Sequence, residues 1–482
     1  LRPANTPDAF PPAEGTSRAY AVARASLPHA VLGADGQPVV LADARRINPR
    51  LRRPEAHRPD APRARLDFLP DRPAWQGWLR GVLRWPDGRV AGRLDGPGLS
   101  ATALAALRQV GVVECRFVPE DEPVPIAALL VQVAMTGAVL HAPRLPERVA
   151  RLLATELRQL VTAPLPADDA LALEARSVRQ RRAALRHHAT ALRLPATVAA
   201  TFPDLARPPS VSVVLATRRP EMLPSVLRAM IGQTYPDLEI VVCLHGVAYP
   251  AELRAIVARG ERPIEVVEVP ATASFGEALG AATRRARGTL VTKVDDDDSY
   301  GSEHVWDLVL ARHYSGAHLV GKGAEFVYLE TRDLTVRRTS GVPEADGDLV
   351  AGGTMLLAKG DLEAVGGWRP VPRSVDLGLI ERLRRAGARI YRTHPFGYVY
   401  HRRAAGHTWD PGEQYFLDTA FDRWPGVPPA VLAEPIAPPV PAPPVGPAAR
   451  SGPSAPDAGA CQARRPAVAV GHPGVVGAEG VP

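Results

Sequence analysis

The sequence predicts an α/β protein whose second half folds around a mostly parallel sheet with helices on both faces. Three observations carry this. Between residues 208 and 298, apolar strand-like runs alternate with helical patterns at the spacing of βαβ units. The opening run, Ser210 to Thr217, reads as a strand buried on both faces. The last run ends in four aspartates, Asp295 to Asp298, at the carboxyl end of a strand, where open α/β sheets take their ligands.

Taken in order, residues 1–16 are rich in Pro and Ala and are expected to be disordered. Residues 17–145 hold short strand-like runs, Ala30 to Leu41, Trp78 to Arg93 and Gly111 to Val118, broken by Gly and Pro. They read as a small mixed α/β domain. Residues 146–207 form a helical connector. Its first helix, Pro146 to Val161, places Val149, Leu152, Leu153, Leu157 and Leu160 on one face, and its second runs from Asp168 to Leu194. Arg176, Arg179, Arg181, Arg182 and Arg186 on the second helix read as a solvated face in an arginine-biased chain. No aromatic residue interleaves them, so no nucleic-acid partner is expected.

The domain at 208–425 opens with the strand at 210–217, then a helix around Glu221 to Ile231 and the strand Leu238 to Gly246. A helix near Glu252 to Ala258, the strand Ile264 to Val269, the helix Phe275 to Ala286 and the run Gly288 to Asp298 follow. Residues 426–482 carry too much proline to build a core and read as a disordered, dispensable tail from about Pro428.

Composition sets the outer bounds. The 482 residues suffice for about three domains at roughly 150 residues each. All but three of the 58 basic residues are arginine, the exceptions being Lys293, Lys322 and Lys359, and the net charge is +7. Cys115, Cys243 and Cys461 are far apart, which argues against a disulfide framework and against a structural zinc site. The first residues lack the apolar segment of a signal peptide. The longest apolar run, Ile126 to Leu140, is shorter than the ~20 residues a bilayer needs. A soluble cytoplasmic protein is expected, with peripheral association at the inner face of the plasma membrane compatible with the sequence.

The four aspartates carry the chemistry. Their mutual repulsion costs folding free energy unless a cation offsets it. At a strand end Asp295 and Asp297 project to one side, and paired carboxylates suit Mg²⁺ or Mn²⁺. The plainer alternative is an acidic loop in which Asp298 caps the helix at His304 to Arg312.

In this order of motifs the chain resembles the family 2 glycosyltransferases of GT-A fold, enzymes that use nucleotide sugars and usually invert. The matching elements are the opening strand and helix with Thr217, QTYPDLEIVV (Gln233 to Val242), VDDDD, GGTMLLAKGDLEAVGGW (Gly352 to Trp368) and VDLGLIERLRRAG (Val375 to Gly387), over roughly 210–420. The resemblance implies a metal-binding pair, Asp295 and Asp297, with Asp297 the direct ligand, and a general base, Asp376. It implies His407 or His401 at the metal or diphosphate, and donor contacts from Thr217, His245, Asp295 and Asp296. Gly352, Gly353 and Trp368 would line the acceptor side, although packing glycines and a core tryptophan explain them equally well. Arg402 and Arg403 would stand near the departing diphosphate.

Leu244-His245-Gly246 replaces the family's Asp-Asp-Gly, so uridine specificity does not carry over, and Val375-Asp376 replaces the usual Glu-Asp. The function implied is transfer of a sugar from a nucleotide-diphosphate donor to a glycan, lipid or small-molecule acceptor, as in cell-envelope, glycolipid or natural-product glycosylation. A nucleotidyltransferase of related fold and a non-catalytic binding protein remain as other readings.

Overall fold

A computed structural model describes residues 30–32, 38–52, 61–68, 81–93, 99–117, 123–166, 168–197, 208–403 and 411–432. The expected disordered segment 1–16 and all of the expected tail 426–482 except residues 426–432 lie outside the described residues.

In the N-terminal part, β1 (Ala30–Leu32) pairs antiparallel with β2 (Pro38–Val40). A five-stranded sheet follows, built from β3 (Arg63–Phe68), β4 (Gly81–Arg84), β5 (Val90–Arg93), β6 (Val112–Arg116) and β7 (Val139–His141) in the order β5-β4-β3-β6-β7. Helices α1 (Ala101–Leu107) and α2 (Pro123–Met135) connect its later strands. The long apolar run fills α2, every residue of which is buried from Ile126 onward, and continues into β7. Gln132, its polar residue, accepts the Leu99 N–H at 3.1 Å, so the run is a satisfied core helix. Among the described residues no helix is long and apolar enough to cross a membrane.

The connector differs from its expectation in two places. Where one helix was expected there are two, α3 (Glu147–Ala150) and α4 (Thr155–Thr162), because the His188 ring accepts the Ala154 N–H at 3.1 Å and starts the chain in a new direction. The second helix also divides, into α5 (Ala170–His188) and α6 (Thr190–Thr197). Ala42 takes bonds from both sides of the break, its N–H to His188 O and its carbonyl from Thr190 N, each at 2.9 Å.

The arginine run of α5 is not a solvated face. Arg181 and Arg182 are 4% and 2% exposed. Arg181 pairs with Glu344 at 2.7 Å, and Arg182 forms two bonds to Asp307 at 2.8 and 3.0 Å. Glu174 receives two bonds from Arg337 at 2.7 and 3.0 Å. Composition suggested solvent, but the acidic partners arrive from more than 100 residues away, beyond the reach of local sequence patterns.

The C-terminal part contains β8 (Val211–Thr217), α7 (Leu223–Ile231), β9 (Leu238–His245), α8 (Ala251–Ala258), β10 (Ile264–Val269), α9 (Phe275–Arg285) and β11 (Leu290–Lys293). Next come β12 (Ser299–Tyr300), α10 (His304–Ser315), β13 (Leu319–Gly321), β14 (Phe326–Leu329), β15 (Leu334–Arg338), β16 (Ala345–Asp346), β17 (Leu356–Ala358) and α11 (Lys359–Ala364). The described chain closes with α12 (Val375–Arg385), β18 (Ile390–Arg392), β19 (Tyr398–Arg402), α13 (Glu413–Asp418), β20 (Ala420–Pro425) and α14 (Pro429–Leu432). An eight-stranded sheet runs β10-β9-β8-β11-β17-β13-β18-β16. Its first four strands are parallel, as expected, while β17 is antiparallel to both neighbours. A second sheet, β12-β19-β14-β15-β20, stands beyond the end of β11.

Alternate residues of β8 explain why both faces are covered. Val213 and Leu215 pack with Leu223, Val226, Leu227 and Met230 of α7. Val214 and Ala216 pack with Ala278, Leu279 and Ala282 of α9 and, farther along, Leu379, Ile380 and Leu383 of α12. The α/β fold expected from the sequence, a sheet with helices on both faces, is therefore the one observed, with a mixed rather than parallel second half.

The end of this part lies beyond residue 425. Val431 is fully buried with Phe326, Phe396 and Val399, and its carbonyl accepts the Gly397 N–H at 2.7 Å. The sequence hid this because α14 lies inside a proline-rich stretch. Truncation after Leu432 is expected to leave the melting temperature unchanged within about 2 °C. Truncation at Gly426 removes a buried valine worth roughly 1.5–3 kcal/mol and should lower it measurably by differential scanning fluorimetry.

Candidate functional site

Strand β11 ends at Lys293, and its partners hold the next residues in place: Lys293 N–H donates to Met355 O at 3.0 Å and Val294 N–H to Val214 O at 3.1 Å. The aspartates then turn between the two sheets with the alternation expected of a strand end. Asp296 and Asp298 are buried, whereas the side chains of Asp295 and Asp297 are 32% and 14% exposed. Tyr300 fixes the turn, its hydroxyl accepting the Asp295 N–H at 2.8 Å and donating to Gly353 O at 3.0 Å. Asp298 accepts the Tyr398 hydroxyl at 2.8 Å and the His401 N–H at 3.0 Å. Burial, with Asp295 and Asp297 alongside, pushes the Asp298 carboxyl well above the usual carboxylate range.

The repulsion that the sequence assigned to a bound cation is met partly from within. Lys293, 2% exposed, donates to Asp295 Oδ1 at 2.6 Å and stands 3.5 Å from each oxygen of Asp376. Although burial lowers its pKa, Asp295 and Asp376 more than reverse this, so the ammonium stays charged. Arg219 bonds Asp296 and donates to Asp297 Oδ2 at 2.8 Å. Sequence reasoning missed both cations. For Lys293 a signal existed, since it is one of three lysines in an arginine-biased chain.

Asp376 opens α12 from a Ser374 in left-handed backbone conformation (φ 56°). Burial raises its carboxyl above the usual range, against the pull of Lys293. Its Oδ1 is buried and receives no hydrogen bond among the described residues. The Gly352 and Gly353 backbone lies directly against the two carboxylates. A Cβ on Gly352 would come within 2.1 Å of Asp376 Oδ2, and one on Gly353 within 2.7 Å of Asp295 Oδ2. Only glycine leaves room for both acids.

Other sequence-predicted residues take different places. Thr217 and Asp296 are buried and bonded to each other, and Thr217 Oγ1 also accepts the Arg219 N–H at 2.8 Å, so the pair braces Arg219. His245 is 2% exposed, accepts from Arg218 Nε at 3.1 Å and donates from Nε2 to Ala273 O at 2.6 Å, leaving no ring nitrogen for a base or ribose. Trp368 is a core residue: its indole N–H donates to Thr283 Oγ1 at 2.9 Å among Leu362, Val375 and Leu379, and it offers no face to a sugar. His401 shares its Nε2 with Ser299 Oγ at 2.7 Å. His407 lies outside the described residues. Arg402 is buried against Phe416, and Arg403 stands 3.8 Å from Glu330 and 3.0 Å from Met222 Sδ.

Among the described residues no group of three or more His, Cys, Asp or Glu side chains is gathered for a metal ion. Asp295 and Asp297 are nonetheless the two aspartates that reach solvent, and Mg²⁺ is commonly held by one or two carboxylates with water and substrate phosphates completing its shell. The donor set fits that shared kind of site.

No family model matches the sequence, and no curated protein matches it. Among solved structures, the chain is similar to residues 1–349 of S. aureus TarS in complex with UDP-GlcNAc, at 16% identity over 44% of this chain and 64% of that one (TM-score 0.35). It is also similar to the mannosyltransferase PcManGT from Pyrobaculum calidifontis in complex with GDP-Man and Mn²⁺, at 16% identity over 42% of this chain and 59% of that one (TM-score 0.32). The chain spans less than two thirds of the length of each of these structures.

Proposed function

We propose that the chain is a glycosyltransferase, resembling family 2, that transfers a sugar with inversion from a nucleotide-diphosphate donor to an acceptor hydroxyl. One observation carries the reading: the carboxylate of Asp376, with its side chain 28% exposed, shares a lysine with one of two solvent-reaching aspartates at the carboxyl edge of the sheet. An incoming hydroxyl would surrender its proton to that carboxylate as it attacks, the work of a general base. The raised carboxyl of Asp376 suits proton acceptance. Gly352 and Gly353 keep side chains out of the space beside it. Asp295 and Asp297 would hold a Mg²⁺ or Mn²⁺, which when bound offsets the charge developing on the leaving diphosphate. Arg219, about one-third exposed, is free to release Asp297 while still bonded to Asp296. The acceptor, a glycan, lipid or small molecule, and a cytoplasmic setting belong to the same proposal.

The test is titration calorimetry of nucleoside diphosphates and nucleotide sugars with Mn²⁺ present. Binding is expected to need the cation, and Asp297→Ala is expected to lose it. Equal affinity in chelator for both proteins would remove the metal role, and no turnover of any donor would remove the glycosyltransferase reading.

A further inference from the structure

Lys293 stands out because the chain so seldom uses lysine. All but three of its 58 basic residues are arginine, yet a lysine lies 2% exposed between Asp295 and Asp376. A guanidinium is a broad planar fork, whereas an ammonium is a compact point of charge with three donors that need not share a plane. The Gly352-Gly353 backbone closes on both carboxylates so tightly that not even a Cβ would fit, and the Phe275 ring lies 5.9 Å from the ammonium on another side. The two acids belong to different elements, Asp295 to the turn after β11 and Asp376 to the first turn of α12. The ammonium is what joins them.

We propose that Lys293 is a positioning residue that ties the donor-side carboxylate Asp295 to the base Asp376 and sets where the base meets the acceptor. This rests on the glycosyltransferase reading above. The joint is strong on one side and loose on the other. A 2.6 Å bond anchors the ammonium on Asp295, while 3.5 Å to each oxygen of Asp376 leaves Oδ1 without a hydrogen bond. Lys293 therefore orients the base while the Asp376 side chain, 28% exposed, stays open to an incoming hydroxyl. An arginine in its place would keep the charge and the closer bond to Asp295 but push Asp376 aside. Donor binding would survive and transfer would not.

The experiment compares wild type with Lys293→Arg and Lys293→Ala. The readouts are thermal melting, nucleoside-diphosphate affinity with Mn²⁺ by calorimetry, and the kcat and KM of transfer with the donor that the wild type turns over. Lys293→Arg is expected to stay folded and to bind nucleoside diphosphate within about threefold of wild type, while kcat falls at least 30-fold. Lys293→Ala is expected to recover kcat on addition of ethylammonium but not of ethylguanidinium, with donor KM unchanged, a selectivity that a merely structural lysine would not give. A Lys293→Arg protein with wild-type kcat would overturn the proposal, as would a loss of binding and kcat in equal measure. If both variants unfold, Lys293 is a structural charge partner and the proposal falls. Failure of the wild type itself to bind or turn over any nucleotide sugar would instead sink the functional reading, and the inference with it.

Discussion

Asp376→Asn is expected to cut transfer to the acceptor by about 10²-fold or more, the scale of losing a general base, while nucleoside-diphosphate affinity stays within a few-fold of wild type. The substitution keeps the size of the side chain, which matters because the Gly352 backbone permits nothing larger. It removes the charge that faces Lys293 and the ability of the side chain to accept a proton. A helix-capping role would predict the opposite, since asparagine caps about as well as aspartate. The lysine contact already speaks for more than a cap. Steady-state kinetics with saturating donor decide the matter: a rate within a few-fold of wild type would rule out Asp376 as the base.

The largest loss of stability is expected from Asp307→Asn, far from the chemistry. Asp307, with a side chain 1% exposed, accepts two bonds from Arg182, lies 3.1 Å from Lys322 and is 3.4 Å from His394. Burial alone would raise its pKa, but Arg182, Lys322 and His394 hold it well below the usual carboxylate range. Burial lowers Lys322 to about 8 even with this partner present. Removing the carboxylate leaves two cations buried without their shared anion, at a cost of about 3–5 kcal/mol, or a melting temperature lower by roughly 10 °C.

The sign of the pH dependence follows from the depressed pKa. The folded state binds a proton at Asp307 less readily than the unfolded chain, so its contribution is fully present above about pH 4 and is lost as pH falls through the lower folded value. The variant should therefore be less stable throughout pH 6 to 8, by more toward pH 6 because Lys322, lowered further once its carboxylate is gone, must be charged there, with the difference narrowing in strong acid. Urea titrations across that range check it, and an unchanged midpoint at pH 7 would refute it.

Local patterns made the strand and helix alternation of 210–298 legible, because each element carries its own apolar period. They also put Asp295 and Asp297 on one side of the strand end, since alternation is a property of the strand itself. What they could not supply were partners distant in sequence. Arg181 and Arg182 read as solvated because Glu344 and Asp307 come from another part of the chain, and Trp368 stayed open between acceptor wall and core because Thr283 was not in view. Helix α14 was lost in a proline-rich composition although a single valine ties it down. The internal cations of the acidic turn needed three dimensions as well, for Lys293 is two residues from Asp295 but 83 from Asp376.

The scarcity of lysine turns two buried residues into reporters. Lys293 and Lys322 have side chains 2% and 0% exposed, and the remaining lysine, Lys359, is about one-quarter exposed. Amine-selective acylation of the native protein thus meets one accessible lysine ammonium, and modification at the other two must wait for the chain to open. Lys293 sits at the acidic turn and Lys322 in the charged interior beside α5, so the order in which the two become labelled separates loosening of the turn from loosening of the junction with the N-terminal part.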